Sequence, residues 1–336
     1  IKTEDAVGHV LCHDMTQIIK DQYKDARFRK GHVVTEEDIP VLLSMGKEHL
    51  YVWEMTSGMV HENDAAERLL ALCGQENMIR SGVKEGKIEL KAACDGVFLV
   101  DSARLVAVNS QDEVMIATRK GGMAVREGDK LAGMRVIPLI IEEEKLRKAE
   151  QAAGDKPLLS LKPYVRKTAC IVATGGEVKK GLIKDTFTPI VIDKLKTYGI
   201  ETLEVVYSGD GVENVRDAVL TMREKKPDMI LCTGGMSVDP DDNTPGGIKA
   251  AGANIIAYGA PVLPGAMFLL GYFDDGMPVM GLPGCVMYAG ATVFDLVLPK
   301  IAADVPVTRA DLAALGEGGL CLGCKPCHYP ICPFGK

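Results

Sequence analysis

Four cysteines crowd the last sixteen residues, in the order Cys321-x2-Cys324-x2-Cys327-x4-Cys332-Pro333. Thiolates are soft metal ligands, and four so close along a chain can wrap one metal centre. Bacterial ferredoxin runs read C-x2-C-x2-C-x3-C-Pro, one residue shorter in the last gap. A zinc site of four thiolates is the direct rival, and His328 can replace one thiolate there. The spacing leaves an iron–sulfur cluster and zinc both open. Gly323, Pro326 and Pro330 favour tight turning between the thiols.

Three glycine-bearing segments offer a second chemistry. Thr174-Gly175-Gly176, Thr233-Gly234-Gly235 and Pro283-Gly284 each follow a short apolar run. Glycine lets backbone N–H groups approach an anion, and a following helix adds favourable dipole charge, so phosphate is the natural guest. None of the three is G-x-G-x-x-G or a Walker loop, so neither dinucleotide binding nor ATP hydrolysis is indicated. The second segment runs on as Met236-Ser237-Val238-Asp239-Pro240-Asp241-Asp242-Asn243-Thr244. Carboxylates beside a phosphate loop require a bridging cation, and Mg²⁺ takes one or two carboxylates together with phosphate oxygens. Asp242, Asn243 or Thr244 can equally cap the next helix. His61-Glu62-Asn63-Asp64 reads in the same way, as a cap at a helix start.

These segments need elements to hold them. From Thr168 onward strand and helix patterns alternate. Strands are expected over 169–173, 201–207, 229–232 and 278–281. Helices are expected over 185–198 and from Val212 to Met222, and a long one from Val286 to Ile301. This predicts an α/β fold, a three-layer α-β-α sandwich with a mostly parallel sheet, whose ligands sit at the carboxyl ends of the strands. The first 160 residues mix short strands with amphipathic helices. Thr35-Glu36-Glu37-Asp38 resembles a capping box, His49 to Trp53 reads as a strand, and 63–73 as a helix. A composition shift near residue 160 divides the chain into a mixed α+β accessory region (1–160), an α/β domain (161–308) and a Cys-rich metal-binding tail (309–336).

The ordered motifs resemble the molybdopterin-binding domain family, which includes molybdopterin adenylyltransferases and molybdenum insertases. Thr233 to Thr244 resembles the family signature. Thr174-Gly175-Gly176-Glu177, with Gly181, Ile183 and Asp185, resembles its first loop, and Gly281-Leu282-Pro283-Gly284 its third. The resemblance implies a pterin-phosphate site beneath the loops. Gly234, Gly235 and Ser237 would hold phosphate, with Thr174, Gly175, Thr233, Asp241, Thr244, Pro283 and Gly284 around it. Asp242 would serve metal or adenylyl chemistry, with Glu177 and Asp185 as further acidic positions. The expected ligand is molybdopterin or its nucleotide form. The expected partners are molybdate or tungstate, a recipient metalloenzyme and a second copy of the chain. The role implied is cofactor biosynthesis by metal insertion or adenylyl transfer. A non-catalytic pterin carrier or sensor, and a damage-inducible-type nucleotide-processing enzyme sharing the domain, are the alternatives. The family's Pro-Gly-Lys-Pro stands here as Pro264-Gly265-Ala266-Met267, without the cation, and Cys285-Val286 replaces its Asn-Pro. Losing the Lys removes a charge-assisted contact to a phosphorylated ligand.

Composition narrows the rest. The 336 residues are 47% hydrophobic and 25% charged, enough for packed cores. A net charge of −7 and 5% aromatic residues argue against binding nucleic acid through phosphate contacts or stacking. No run of 18 apolar residues predicts a membrane span. The opening Ile1-Lys2-Thr3-Glu4-Asp5 lacks the apolar stretch of a secretory signal, and the other six cysteines are scattered. A reducing cytoplasm is therefore expected.

Overall fold

The computed structural model describes residues 1–19, 23–51, 58–176, 181–237, 239 and 242–336. The chain divides into two compact units, one of Ile1–Ala93, Leu99–Gly121 and Glu127–Ser160, the other of Cys94–Phe98, Gly122–Arg126 and Leu161–Lys336.

In the first unit, the strands Met15–Ile19 and Tyr23–Phe28 form an antiparallel pair. Ala6, Leu11, Met15, Phe28, Val34, Leu42 and Leu50 make a small core of their own. The helix Asp38–Ser44 starts where Asp38 accepts hydrogen bonds from the Thr35 N–H and hydroxyl, both at 2.8 Å. A four-stranded antiparallel sheet runs in the order Met78–Arg80, Ile88–Ala92, Lys130–Val136, Val114–Thr118. The helix Glu62–Cys73 buries Ala65, Ala66, Leu69, Leu70 and Cys73, the stripe its spacing predicts. Its N-cap is His61, whose Nδ1 accepts from the Asn63 N–H at 3.1 Å. Of the strand expected over 49–53, residues 52 and 53 lie outside the described residues, and His49 makes only an isolated bridge to Lys2.

The second unit is α/β. Its six-stranded sheet has the order Glu201–Ser208, Thr168–Thr174, Met229–Thr233, Pro278–Leu282, Leu269–Tyr272, Asn254–Tyr258. The first four strands are mutually parallel and the last two pair antiparallel. The central strands are apolar on both faces, as a sheet covered on both sides requires. Ala169, Ile171, Met229 and Leu231 pack into one cluster with Val191 and Leu195 of the helix Thr188–Lys196 and with Phe294, Val297 and Ile301 of the helix Val293–Ala302. Cys170, Val172, Ile230 and Cys232 pack into another with Val215, Val219 and Met222 of the helix Val212–Glu224 and Ile248 of the helix Thr244–Ala250.

Two expected helices are corrected. The one from Val286 to Ile301 is broken into a 3-10 turn, Gly284–Met287, and the helix Val293–Ala302. Thr292 restarts the chain with a capping box: its hydroxyl accepts from the Phe294 N–H at 3.2 Å, and Asp295 accepts from the Thr292 N–H at 2.8 Å. The helix expected from 185 starts at Thr188, because Asp185 is spent on capping it.

The Cys-rich segment is built into the α/β unit. Phe334 is 2% exposed and belongs to the main core cluster. The Tyr329 hydroxyl donates to the Asp295 carbonyl at 3.0 Å, and its ring meets Phe334 edge-on at 6.2 Å. The Cys321 N–H donates to the Leu263 carbonyl at 2.8 Å, and the Gly335 N–H to the Gly318 carbonyl at 2.9 Å. Among the described residues, no helix is long and apolar enough to cross a membrane.

Candidate functional site

Register brings the three loops together. Ala173 pairs with Thr233, and Thr233 with Leu282, so three adjacent parallel strands end level. Thr174-Gly175-Gly176, Thr233-Gly234-Gly235 and Pro283-Gly284 therefore leave the same end of one sheet. A fourth strand ends beside them, since Thr174 pairs with Ser208. Its loop supplies Asp210, which accepts from the Gly176 N–H at 2.9 Å. Asp210 was not among the residues singled out by motif or spacing. Its signal is Ser208-Gly209-Asp210-Gly211, a glycine-flanked carboxylate between a strand and a helix.

Buried threonines hold the loops in place. The Thr174 hydroxyl donates to the Thr233 carbonyl at 3.0 Å, and the Thr244 hydroxyl to the Gly234 carbonyl at 2.9 Å. The two hydroxyls lie 3.2 Å apart. Thr174 and Thr244 thus act on the backbone that would meet an anion. Gly234 and Gly235 sit at φ of +82° and +57°, in the left-handed region that favours glycine. A Cβ on Gly234 would stand 2.4 Å from the Thr174 carbonyl oxygen, and one on Gly235 2.5 Å from the Thr244 hydroxyl. These two glycines are required by the packing of the loop on itself. Gly284 differs: a Cβ there would meet nothing within 4 Å.

Asp242 accepts from the Ser237 N–H at 2.9 Å, and its own N–H donates to the Asp239 carbonyl at 2.9 Å. It therefore shapes the loop, with Ser237 exposed beside it. The helix Thr244–Ala250 begins at Thr244, and Asn243 at its N-cap makes no side-chain capping bond. Glu177 and Asp241 lie outside the described residues. Asp185 accepts from the N–H groups of Phe187 at 2.9 Å and Thr188 at 3.0 Å, and from the Tyr207 hydroxyl at 3.2 Å. Burial works to raise its carboxyl, but the hydrogen bonds from Thr188, Phe187 and Tyr207 outweigh this and hold it below the ordinary carboxylate value. A depressed folded-state value means that Asp185 contributes stability in full above the ordinary 3.8 and loses it as pH falls through the lower folded value. Asp185→Asn should therefore lose less stability than the parent on going from about pH 6 to about pH 3. Urea midpoints at the two pH values check this, and equal losses would exclude the cap as the cause.

Cys285, just past the third loop, is half-buried, and burial pushes its thiol up, away from the reactive thiolate. Cys321, Cys324, Cys327 and Cys332 line one cavity of about 360 Å³. No three of the His, Cys, Asp and Glu side chains among the described residues are gathered closely enough to grip a single ion.

Residues 170–303 match the family described as "Probable molybdopterin binding domain". This stretch, less than half of the chain, is similar to that molybdopterin-binding family. Residues 1–54 match a domain of unknown function, DUF8806. The chain is 33% identical over 76 residues to a CinA-like protein of Mycobacterium tuberculosis and 32% to one of Petrotoga mobilis, 23% of this chain in each case. The matched stretch spans under a fifth of the length of these relatives, 18% and 19%. Among solved structures, the CinA protein of Thermoplasma acidophilum is 18% identical, over 40% of this chain and 98% of its own, at a TM-score of 0.34. The molybdopterin biosynthesis Mog protein of Mycobacterium ulcerans is 20% identical, over 41% and 97%, at 0.35.

Proposed function

We propose that the loop end of this sheet binds molybdopterin, or its nucleotide form, through the phosphate. The protein then acts in molybdenum or tungsten cofactor biosynthesis, by adenylyl transfer or metal insertion. The observation that carries this reading is the level ending of three glycine-bearing loops on adjacent parallel strands. The match of 170–303 to the molybdopterin-binding family supports the same ligand. The backbone of Gly234, Gly235 and Ser237 receives the phosphate, with Gly284 at the neighbouring strand end. Thr174 and Thr244 keep that backbone in place. Asp242 is the carboxylate suited to share Mg²⁺ with the phosphate. When bound, that ion would neutralise charge gathering on the transferred group. Molybdate or tungstate and a recipient metalloenzyme are the further partners of this reading, in a homo-oligomer.

Asp242→Asn separates the two roles of this side chain. It keeps an acceptor for the Ser237 N–H and removes the charge. Mg²⁺-dependent turnover with molybdopterin and ATP should fall about 100-fold or more, with stability changed by less than about 1 kcal/mol. Unchanged turnover would remove Asp242 from the chemistry. The acidic residues of the same loops permit a second reading, a damage-inducible-type nucleotide-processing enzyme sharing the domain. Titrations with molybdopterin, its adenylylated form and pyridine nucleotides distinguish the two. Binding without turnover would favour a carrier or sensor.

A further inference from the structure

The tail thiols are not used by the pterin site, yet their surroundings are those of a built pocket. Cys321, Cys324, Cys327 and Cys332 are all unpaired thiols lining one cavity of about 360 Å³, with Tyr288 and Gly290 also in its wall. Cys321 and Cys332 are half-buried against the main core, while Cys324 and Cys327 are exposed. The wall is shaped to admit a cysteine: a Cβ on Gly290 would lie 2.8 Å from Cys327 Sγ.

The segment between the first and last of these cysteines contains no helix or strand. Its two ends are nonetheless held firmly. The Leu263 N–H donates to the Gly319 carbonyl and the Cys321 N–H to the Leu263 carbonyl, each at 2.8 Å. Buried Phe334 anchors the far end. A loop clamped at both ends, carrying four thiols around a central space, suits a ligand that supplies the missing internal order.

The spacing of the thiols and the cavity they line point to the ligand. One zinc ion with Zn–S bonds of about 2.3 Å draws its four sulfurs within about 4 Å of one another. A cluster places its own iron and sulfide between the thiolates, and so uses the cavity that the four thiols line. The Cys-x2-Cys-x2-Cys spacing and the proline after the fourth cysteine agree with the ferredoxin pattern.

We propose that Cys321, Cys324, Cys327 and Cys332 ligate a single iron–sulfur cluster in this cavity. Each thiol releases a proton to solvent as its iron–sulfur bond forms, and ferric iron, ferrous iron and sulfide come from outside the chain, so assembly needs no separate oxidant. The wall residues Tyr288 and Gly290 closely follow the turn Gly284–Met287, so the cluster lies beside the continuation of the third loop.

The full chain, purified without oxygen and supplied with equal ferric and ferrous iron, sulfide and zinc, provides the test. Iron and acid-labile sulfide should appear in equal amounts, about four of each per chain, with a brown colour. Cys324→Ser and Cys327→Ser should each lower iron at least tenfold, while His328→Ala keeps it. Exposed positions 324 and 327 leave the core intact, so unchanged melting temperatures would exclude misfolding as the cause. A colourless protein with one zinc and no sulfide overturns the proposal. So does a metal-free chain, or full iron retained in both Cys→Ser variants.

Discussion

Gly234→Val is expected to abolish pterin binding and to cost about 2–5 kcal/mol of stability, the sum of a left-handed β-branched residue and an overpacked site. The new Cβ would stand 2.4 Å from the Thr174 carbonyl oxygen, which belongs to a buried strand and cannot yield. Lost binding in this variant therefore reports a broken loop rather than a blocked phosphate. Gly284→Asp supplies the missing comparison. Space around Gly284 is open, so the fold should tolerate the side chain. Its carboxylate would stand at the end of the third strand and repel a phosphate by about 1–3 kcal/mol, a loss of roughly fivefold to 150-fold in affinity. Calorimetric titration with molybdopterin, paired with urea unfolding, reads both effects. Undiminished affinity in Gly284→Asp would place the anion elsewhere.

Phe334→Ala should destabilise the α/β unit by about 3–5 kcal/mol, the cost of emptying a buried aromatic site. Phe334 is the third residue from the end of the sequence and lies two past the last of the four cysteines. A frayed tail would tolerate the change. Instead the ring is 2% exposed and shares the cluster that contains Phe294 and Val297. Gly335 closes against Leu296 so tightly that a Cβ would lie 2.4 Å from Leu296 Cδ2. Removing residues 320–336 should cost at least as much, by uncovering the same surface. Denaturant midpoints of the two variants check this. A midpoint unchanged from the parent would show that the segment adds nothing to the fold.

Local pattern made much of the α/β unit readable. The runs 169–173 and 229–232 are apolar at every position, and the helix beginning at Val212 repeats at three and four residues. Those signals live within one element. Glycine after a strand likewise marks a loop wherever the strand goes, so the three loops were visible before their neighbours were known. In the first 160 residues the stripe over 65–73 was equally local, whereas the capping box expected at Thr35 is not formed: the helix is capped at Glu37 without a side-chain bond, and Thr35 only donates to Asp38.

Many elements, the loops and the family resemblance of 170–303 were therefore legible along the chain. Packing decided what those residues do to each other. Thr174 and Thr244 are seventy residues apart, and only the parallel order of the strands brings their hydroxyls to 3.2 Å. Asp185, a candidate acidic site residue by resemblance, accepts from Tyr207 of the sheet's edge strand and caps a helix instead. The helix read through Val286 continued in pattern, because apolar spacing carries across a break. The capping box at Thr292 and the segment bearing Cys327 fix where the chain turns. The antiparallel strands Asn254–Tyr258 and Leu269–Tyr272 escaped for a related reason: strand direction is set by the pairing partner, not by the residues of the strand. Phe334 shows the limit most plainly. Its type was known, but burial belongs to the packed chain, since one side chain cannot specify the surface that covers it.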